Sequence, residues 1–558
     1  MAAFVLGAAP AGAEAPGPPP DFTWSVPDHM TQGEGKGSVG QYATPPSEVK
    51  DRRWPVDFQV RPAACHPGAS YRWTIGGKEA PFKLTEDCQF RFGFPEGAYQ
   101  VGFEVTTPRG TSTSSATVVV QDWLIVSLGD SVASGEGNPD VPAKRGRGAK
   151  WANRRCHRSS KAGTAQAALR LEQDDPTTSV TFVHLACSGA TIEKEPTIKE
   201  GPEKVLIPHP EGALPRNANE SPPQNKLPPQ VDELAKVAAV RPVDAVLLSI
   251  GANDVNFGPM SMFCIKVWRC MHRRFDPLHP LRGPFRNRLL NRRSETLAQV
   301  EAKALKALPH RYQHLQHYME QKLPAPRPPV YIVQYFDPTI GPHGFCRIAG
   351  ISQREAKWAH DYVLAPLNRT IRKAARRWGW TLVGGVAKAF RGHGYCAGKG
   401  QRWIRTFLES LRLHGFSKPK AAAGTLHPNE LGHKGTAELI DKKLGRDLRE
   451  QGSIPFSSGR DTDLPALVAL GLAEAGLLGT GFVVWRRRRS AHPLPPPPRG
   501  SSRPGLRPDE GRPRRSASGD NAGLQGRAAL GLAGAGLLGM WIVAWRRRRR
   551  SRRRRPSL

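Results

Sequence analysis

The sequence is short of acidic residues. Its 558 residues include 48 Asp and Glu against 82 Lys and Arg, which gives a formal net charge of +34. Half of that excess lies in the tail, because residues 486–558 contain 20 arginines and three acidic residues, a net charge of +17. The distribution indicates a basic tail on a moderately basic protein and argues against a nucleic-acid-binding fold, so no nucleic-acid partner is expected.

The chain also lacks any Cys-x-x-Cys pair, so we expect no zinc site. Its eight cysteines are even in number and well spread, which in a chain with export features is typical of disulfides rather than of reduced core thiols. We expect them to pair in chain order, although the sequence alone leaves other pairings open. The expected pairs are Cys65–Cys88, Cys156–Cys187, Cys264–Cys270 and Cys346–Cys396.

The first residues lack the basic start of a secretion signal. Residues 2–9 are nevertheless small and apolar, and Ala13-Glu14-Ala15 is a plausible cleavage site. We therefore interpret residues 1–15 as a truncated signal peptide. Residues 16–53 are rich in Pro, Gly and Ser and are predicted to be a linker.

Residues 54–121 show the pattern of a small β domain. Short apolar runs at 71–75, 99–105 and 116–120 are separated by Gly and Pro turns, which predicts an all-β sandwich. The stretch at 95–101, Pro-Glu-Gly-Ala-Tyr-Gln-Val, resembles the later strands of a PKD-like, immunoglobulin-type domain. That resemblance implies a spacer or a weak polysaccharide binder, and we favour the spacer.

Residues 122–450 alternate strand-like and helix-like segments. The strand candidates are near-continuous apolar runs, as a sheet buried on both faces requires. They lie at 123–128, 179–186, 244–250, 329–335 and 380–383. Helical stretches such as 231–240 and 294–308 lie between them. The sequence predicts an α/β fold, a three-layer α/β/α sandwich with a parallel sheet.

Four residues suited to catalysis, three polar and one glycine, occur in a fixed order along the chain. Ser131 stands in Gly-Asp-Ser after the first strand, Gly189 in Ala-Cys-Ser-Gly-Ala-Thr, Asn253 in Ile-Gly-Ala-Asn-Asp, and His427 in His-Pro-Asn. The first three each follow a predicted strand, so they belong to the sheet edge where open α/β sheets bind ligands. A serine hydroxyl needs an adjacent base to act as a nucleophile, and His427 is the natural base.

These four blocks, in this order, resemble the GDSL/SGNH hydrolase family over about residues 121–450. The resemblance implies that Ser131 attacks an ester carbonyl and that His427 moves the proton, without a metal or cofactor. It also implies an oxyanion hole made by the backbone N–H groups of Ser131 and Gly189 and the side-chain amide of Asn253. Taken singly, Gly189 is more often a turn glycine and Asn253-Asp254 more often a helix cap, and only the joint occurrence of the four blocks favours an active site. The last three cysteine pairs look like the bridges of secreted actinobacterial lipases and esterases of this family.

One position departs from the family pattern. The family usually has an aspartate three residues before its histidine, whereas this chain has Gly424. We therefore predict a Ser131–His427 dyad whose imidazole is oriented by a main-chain carbonyl near Gly424. The alternative is a degenerate, inactive site.

The predicted activity is that of a serine esterase or lipase acting on carboxylic esters or lipids. Two alternatives stay open: a carbohydrate acetyl esterase acting on cell-wall or other polysaccharide, and a catalytically inert surface binding protein. The basic segment Phe257–Arg293 carries Met260, Phe263 and Trp268. It is interpreted either as a wall for the acyl chain or as an amphipathic packing segment.

The tail contains two apolar runs, at 464–485 and 528–545, each followed by an arginine cluster. A run of this length followed by Arg is typical of a stop-transfer segment, and no Leu-Pro-x-Thr-Gly motif precedes either copy. We expect one of the two to be a transmembrane segment, with a disordered basic linker at 486–527 and an Arg-rich tail at 546–558. The protein is expected to be exported, and either secreted or anchored at the cell surface through this tail.

Overall fold

The computed structural model describes residues 22–31, 40–50, 53–80, 88–144, 147–192, 227–277, 295–416 and 421–452. The predicted signal peptide, both candidate transmembrane segments, the basic linker between them and the Arg-rich tail lie outside these residues. Within the described part of the chain, no helix combines the length and the apolar character needed to cross a membrane.

The N-terminal half consists of two antiparallel sheets packed on an aromatic core. Its strands are β1 (Phe22–Ser25), β2 (Trp54–Val60), β3 (Ser70–Ile75), β4 (Lys78–Ala80), β5 (Gln89–Phe94), β6 (Gly97–Thr107) and the first part of β7 (Gly110–Gly129). One sheet has the order β1-β2-β5 and the other β4-β3-β6-β7. Trp73 is fully buried, and the rings of Phe22, Phe58, Phe90 and Phe103 lie 4.4–5.9 Å from it, centre to centre.

Part of the segment predicted to be a linker is integral to the fold. Strand β1 comes from residues 16–53 and pairs with β2. Further along, the hydroxyl of Tyr42 lies 3.0 Å from Nδ1 of His184, and the N–H of Met30 donates to Glu172 at 2.9 Å. The linker prediction rested on the Pro, Gly and Ser content and overlooked a few apolar residues that are buried in the structure. They are Phe22, Met30, Tyr42 and Val49.

The C-terminal half is built on a parallel sheet. The strands are the second part of β7, then β8 (Thr178–His184), β9 (Ala245–Ser249), β10 (Val330–Val333) and, after the small hairpin β11 (Ile340–Gly341) and β12 (Gly344–Phe345), β13 (Thr381–Val383). Their spatial order is β8-β7-β9-β10-β13, and every neighbouring pair is parallel. The five strands predicted from apolar runs are confirmed.

Helices cover both faces of this sheet. They are α1 (Ser131–Ser134), α2 (Gly163–Asp174), α3 (Gln230–Val240), α4 (Phe257–Lys266), α5 (Leu297–Lys322), α6 (Gln353–Ala359), α7 (Ala365–Trp378), α8 (Val386–Ala389), α9 (Phe407–His414) and α10 (Glu430–Gly452). Alternate residues of β7 enter separate cores: Leu124 and Val126 pack with α3 and α5, whereas Ile125 packs with α2 and α10. This is the expected mixed α/β architecture with three layers.

Strand β7 links the two halves. It runs for 20 residues without interruption through residue 121, where the sequence predicts a domain boundary. Its first part pairs with β6 and its second part with β8 and β9. The strand order places a topological switch point between β7 and β9, since the chain moves from β7 to one side and then to the other.

All eight cysteines form disulfides, in the pairs predicted: Cys65–Cys88, Cys156–Cys187, Cys264–Cys270 and Cys346–Cys396. The first lies in the N-terminal half. The other three lie in the C-terminal half, where Cys156–Cys187 joins the loop after α1 to the loop after β8.

Candidate active site

The turn after β7 presents Ser131 at the carboxyl edge of the sheet. Gly129 has a φ of +138°, and a Cβ there would lie 2.0 Å from the carbonyl oxygen of Ser249, so the turn requires glycine. The N–H of Asp130 donates to that same carbonyl at 2.9 Å. The carboxylate of Asp130 caps α1 by accepting from the N–H of Val132 at 3.0 Å, which leaves Ser131 as the first helical residue.

The structure brings Ser131 and His427 together across 296 residues of sequence. The distance from Oγ of Ser131 to Nε2 of His427 is 2.8 Å, and Nδ1 of His427 lies 3.3 Å from the carbonyl oxygen of Thr425. A carbonyl can only accept, so the proton belongs on Nδ1 and Nε2 is free to accept the serine proton. Leu426, at a φ of +67°, makes the tight turn that separates Thr425 from His427.

The packing around Gly424 leaves little room for a side chain at this position. A Cβ at this position would lie 3.0 Å from Cα of Gly137, 3.1 Å from Oγ of Ser410 and 3.2 Å from Nε2 of His414. A larger side chain would therefore displace backbone as well as side chains. Among the described residues, no carboxylate forms a hydrogen bond with His427.

The environment of His427 favours its neutral form. Burial lowers the pKa of His427 below its ordinary value, while the negative charge of Glu136 and the carbonyls of Thr425 and Ala423 oppose that shift. A neutral imidazole at neutral pH is the form that a general base requires.

The predicted oxyanion residues lie on the same sheet edge. The N–H of Cys187 donates to Gly129 at 2.9 Å, which ties the loop carrying Gly189 to the end of β7. Gly189 has a φ of +90°. The amide of Asn253 donates one hydrogen to the carbonyl of Ala190 at 2.8 Å; its second hydrogen has no partner among the described residues.

Solvent reaches all four predicted site residues. Ser131, Gly189, Asn253 and His427 are each partly exposed, whereas their neighbours Asp130, Ala190, Asp254 and Leu426 are buried. The candidate chemical groups are therefore accessible to solvent, whereas the residues that support them are not.

A tyrosine that sequence reasoning missed joins two of the blocks. The hydroxyl of Tyr335, two residues after the end of β10, donates to the carboxylate of Asp130 and accepts from the N–H of Ala252 at 3.3 Å. Burial raises the pKa of Asp130 to about 7, and the bond from Tyr335 opposes that shift. Tyr335 therefore fixes the position of the Ser131 turn relative to the Asn253 loop.

Sequence reasoning also missed a buried carboxylate, Glu136. One oxygen accepts from Nδ1 of His157 and from the hydroxyl of Ser188, both at 2.7 Å, and the other lies 3.7 Å from Nε2 of His414. Burial alone would raise the pKa of Glu136, but His157, His414 and His427 lower it well below its ordinary value. The available signal was an acidic residue between two glycines, five positions after Ser131.

A small apolar cavity with an enclosed volume of about 30 Å³ lies beside the histidine loop. Leu426, the residue before His427, lines it together with Phe257 and Met260 of α4 and Trp358 of α6. Of the segment Phe257–Arg293, residues 278–293 lie outside the described residues. Met260 and Phe263 are buried, whereas Trp268 is exposed.

Within the described part of the chain, no group of three His, Cys, Asp or Glu side chains is arranged to hold a metal ion. The absence of a metal or cofactor in the reaction stays a prediction.

Comparisons with known proteins give structural likenesses only. No protein-family model matches the chain, and no curated protein does. An inhibitor-bound aryl esterase of M. smegmatis is similar at 12% identity and a TM-score of 0.26, over 58% of this chain and 99% of that one. A salicylyl-acyltransferase from a tetracycline biosynthetic pathway is similar at 11% and 0.26, over 78% and 96%.

A carbohydrate acetylesterase from Xanthomonas citri is similar at 12% identity and a TM-score of 0.22, over 72% of each chain. Two of these three proteins are named as esterases and one as an acyltransferase. At such TM-scores the likenesses carry no argument about the activity of this chain, so a function has to be argued from the site.

Proposed function

We propose that this chain is a serine ester hydrolase of the GDSL/SGNH type. The observation that carries the proposal is the 2.8 Å contact between Oγ of Ser131 and Nε2 of His427, with Nδ1 facing a carbonyl. This is the nucleophile–base arrangement in which the base is held in one tautomer by a third group.

The reaction follows from that geometry. Oγ of Ser131 attacks the ester carbonyl carbon while its proton passes to Nε2 of His427. The tetrahedral intermediate collapses, and the alcohol leaves with the proton from Nε2. Water then attacks the acyl-enzyme, gives its proton to His427 and releases the acid, and the proton returns to Ser131.

The negative charge on the carbonyl oxygen needs fixed donors. The backbone N–H groups of Ser131 and Gly189 and the second amide hydrogen of Asn253 are the proposed donors. Their support is the hydrogen bonding that ties all three loops to the ends of β7 and β9. Such donors are preorganised, so they stabilise the transition state without reorganising during the reaction.

The small apolar cavity favours a simple acyl ester over an acetylated polysaccharide. Its lining is mostly hydrophobic and includes Leu426, the residue before His427. At about 30 Å³ the enclosed space takes a short acyl group rather than a long chain. The inert-protein alternative is disfavoured because the nucleophile and base are already aligned.

The disulfides support export, since they are typical of oxidising compartments. Anchoring through the tail and a spacer role for the N-terminal sandwich stay predictions.

The test is hydrolysis of p-nitrophenyl acetate, butyrate and palmitate and of acetylated xylan by the full chain. We expect turnover of the short-chain p-nitrophenyl esters that falls by at least about 10³-fold in Ser131→Ala. Ser70→Ala, at an exposed serine of β3, is the matched control and should keep full activity. Release of acetate from xylan without p-nitrophenyl butyrate turnover would favour the polysaccharide esterase, and no turnover by a folded chain would favour the inert protein.

A further inference from the structure

The buried carboxylate of Glu136 lies close to both halves of the proposed machinery. Its own N–H donates to the carbonyl of Ser131 at 2.9 Å. The next residue, Gly137, packs against the histidine loop, since a Cβ on Gly137 would lie 2.6 Å from the carbonyl oxygen of Pro428 and 3.1 Å from Cβ of His427. Glu136 is 1% exposed, so water does not screen its charge.

The same carboxylate holds the loop of the proposed oxyanion hole. It accepts from the hydroxyl of Ser188, the residue before Gly189, and from His157, the residue after Cys156. The disulfide Cys156–Cys187 joins the residues directly next to these two donors. The disulfide and the Glu136 carboxylate therefore hold the same two loops together.

Neighbours of the Glu136 carboxylate occupy the space that a side chain at position 424 would need. A Cβ on Gly424 would lie 3.2 Å from Nε2 of His414, and that nitrogen lies 3.7 Å from Glu136. His414 and His157 also pack on the ring of Trp151, with centroid distances of 5.5 Å and 4.4 Å. The negative charge thus comes from a different part of the chain and reaches His427 through space rather than through a hydrogen bond.

We propose that Glu136 is a positioning residue of the reaction: its buried negative charge stabilises the imidazolium form of His427, and its bond to Ser188 fixes the Gly189 turn. This inference rests on the proposed function, because it assigns Glu136 a role in that same site. The charge acts at the moment when His427 takes the serine proton, and because Glu136 itself is buried, solvent screens its attraction to the imidazolium less than it would screen a surface charge.

Other titratable groups also act on His427 or on Glu136. His157 lowers the pKa of His427. His433 lies in α10, where its ring is 3.3 Å from the carbonyl oxygen of Glu136, and burial lowers its own pKa to about 4, so it is neutral at neutral pH. The guanidinium of Arg405 donates to the carbonyl of Gly137 at 2.8 Å. Among these groups, Glu136 is the one that favours a positive charge on His427.

The experiment compares Glu136→Gln, Glu136→Asp and Ser188→Ala in the full chain, by kcat, KM and the pH profile of kcat/KM. Removing the charge should lower kcat about tenfold or more and move the half-maximal pH of kcat/KM down by about one unit, since the negative charge of Glu136 raises the pKa of His427. Glu136→Asp keeps the charge and should keep the wild-type half-maximal pH. Ser188→Ala should lower kcat with no change in that pH, because it loosens only the Gly189 turn.

An active wild type with an unchanged pH profile in Glu136→Gln would overturn the inference while leaving the ester hydrolase intact. A wild type without turnover would instead overturn the proposed function. If Glu136→Gln does not fold, as judged by its thermal unfolding, the other two variants decide: a lowered half-maximal pH in Glu136→Asp, or full kcat in Ser188→Ala, contradicts the inference.

Discussion

One strand, β7, takes part in two different kinds of sheet. Its first part, 110–120, pairs antiparallel with β6, and its residues alternate between exposed or half-buried and buried towards the end of that part. Its second part, from 122 to 129, pairs in parallel with β8 and β9 and is buried throughout. The same backbone conformation therefore serves a one-sided sandwich and a two-sided layer.

The difference between the two kinds of sheet explains why the candidate site lies in the parallel half. A sheet covered by helices on both faces offers solvent only its strand ends, so polar groups following different strands converge at one edge. Ser131, Gly189 and Asn253 lie there. In the sandwich the aromatic core around Trp73 occupies the inner face, and the described residues of that half place no nucleophile beside a base. The sandwich should therefore govern stability, and the parallel half should govern turnover.

The largest expected effect belongs to the sandwich. Trp73→Ala removes the fully buried centre of the aromatic cluster and should lower the free energy of unfolding of the sandwich by about 3–5 kcal/mol. Below its lowered unfolding temperature, the variant should keep the wild-type kcat/KM. Chemical denaturation and ester hydrolysis measure the two quantities, and lost turnover in a folded variant would show that β7 couples the halves.

The converse effect belongs to the sheet edge. Asn253→Ala removes one proposed oxyanion donor and should lower kcat by about 10²–10³-fold with a small change in stability. Steady-state kinetics and a thermal melt check both. A change in KM alone would assign Asn253 to substrate binding rather than to the transition state.

Two disulfides offer a matched pair across the comparison. Replacing both cysteines by serine, at Cys65–Cys88 or at Cys156–Cys187, should destabilise the protein by roughly 2–4 kcal/mol in each case. The two losses should be similar because the two bridges close loops of similar length. Only the second should also lower kcat, since it loosens the loop that carries Gly189. Equal kinetics in the two variants would show that the bridge near the site is purely structural.

The smallest expected effect is a shift in the pH dependence of ester hydrolysis. Because burial lowers the pKa of His427, its neutral form persists to more acidic pH, and the half-maximal point of kcat/KM should lie below 6.5. The sequence alone suggested a rise near ~6.5, the ordinary histidine value. A pH profile measured from 4 to 9 with its half-maximal point above 6.5 would contradict the structural environment described for His427.

The parallel strands could be predicted from the sequence because each is apolar on both faces, as for residues 244–250. Strand β1 was not predicted, because its apolar residues are surrounded by the Pro, Gly and Ser of a supposed linker. The continuity of β7 was hidden too, since its composition changes near residue 121 from alternating to uniformly apolar.

The order of Ser131, Gly189, Asn253 and His427 was visible because each lies in a short local block. The environment of Glu136 was not, because its partners come from His157, Ser188 and His414, which only the folded chain brings together. Long-range polar networks of this kind leave no periodic signal in the sequence.

The central claim is that Ser131 is a nucleophile activated by His427. The most direct measurement is covalent labelling of the full chain with a fluorophosphonate, followed by mass mapping of the modified peptide. The account predicts one label on Ser131, with a rate that falls at least about 10³-fold in His427→Ala. A label on a different serine, or equal labelling of Ser131 without His427, would contradict it.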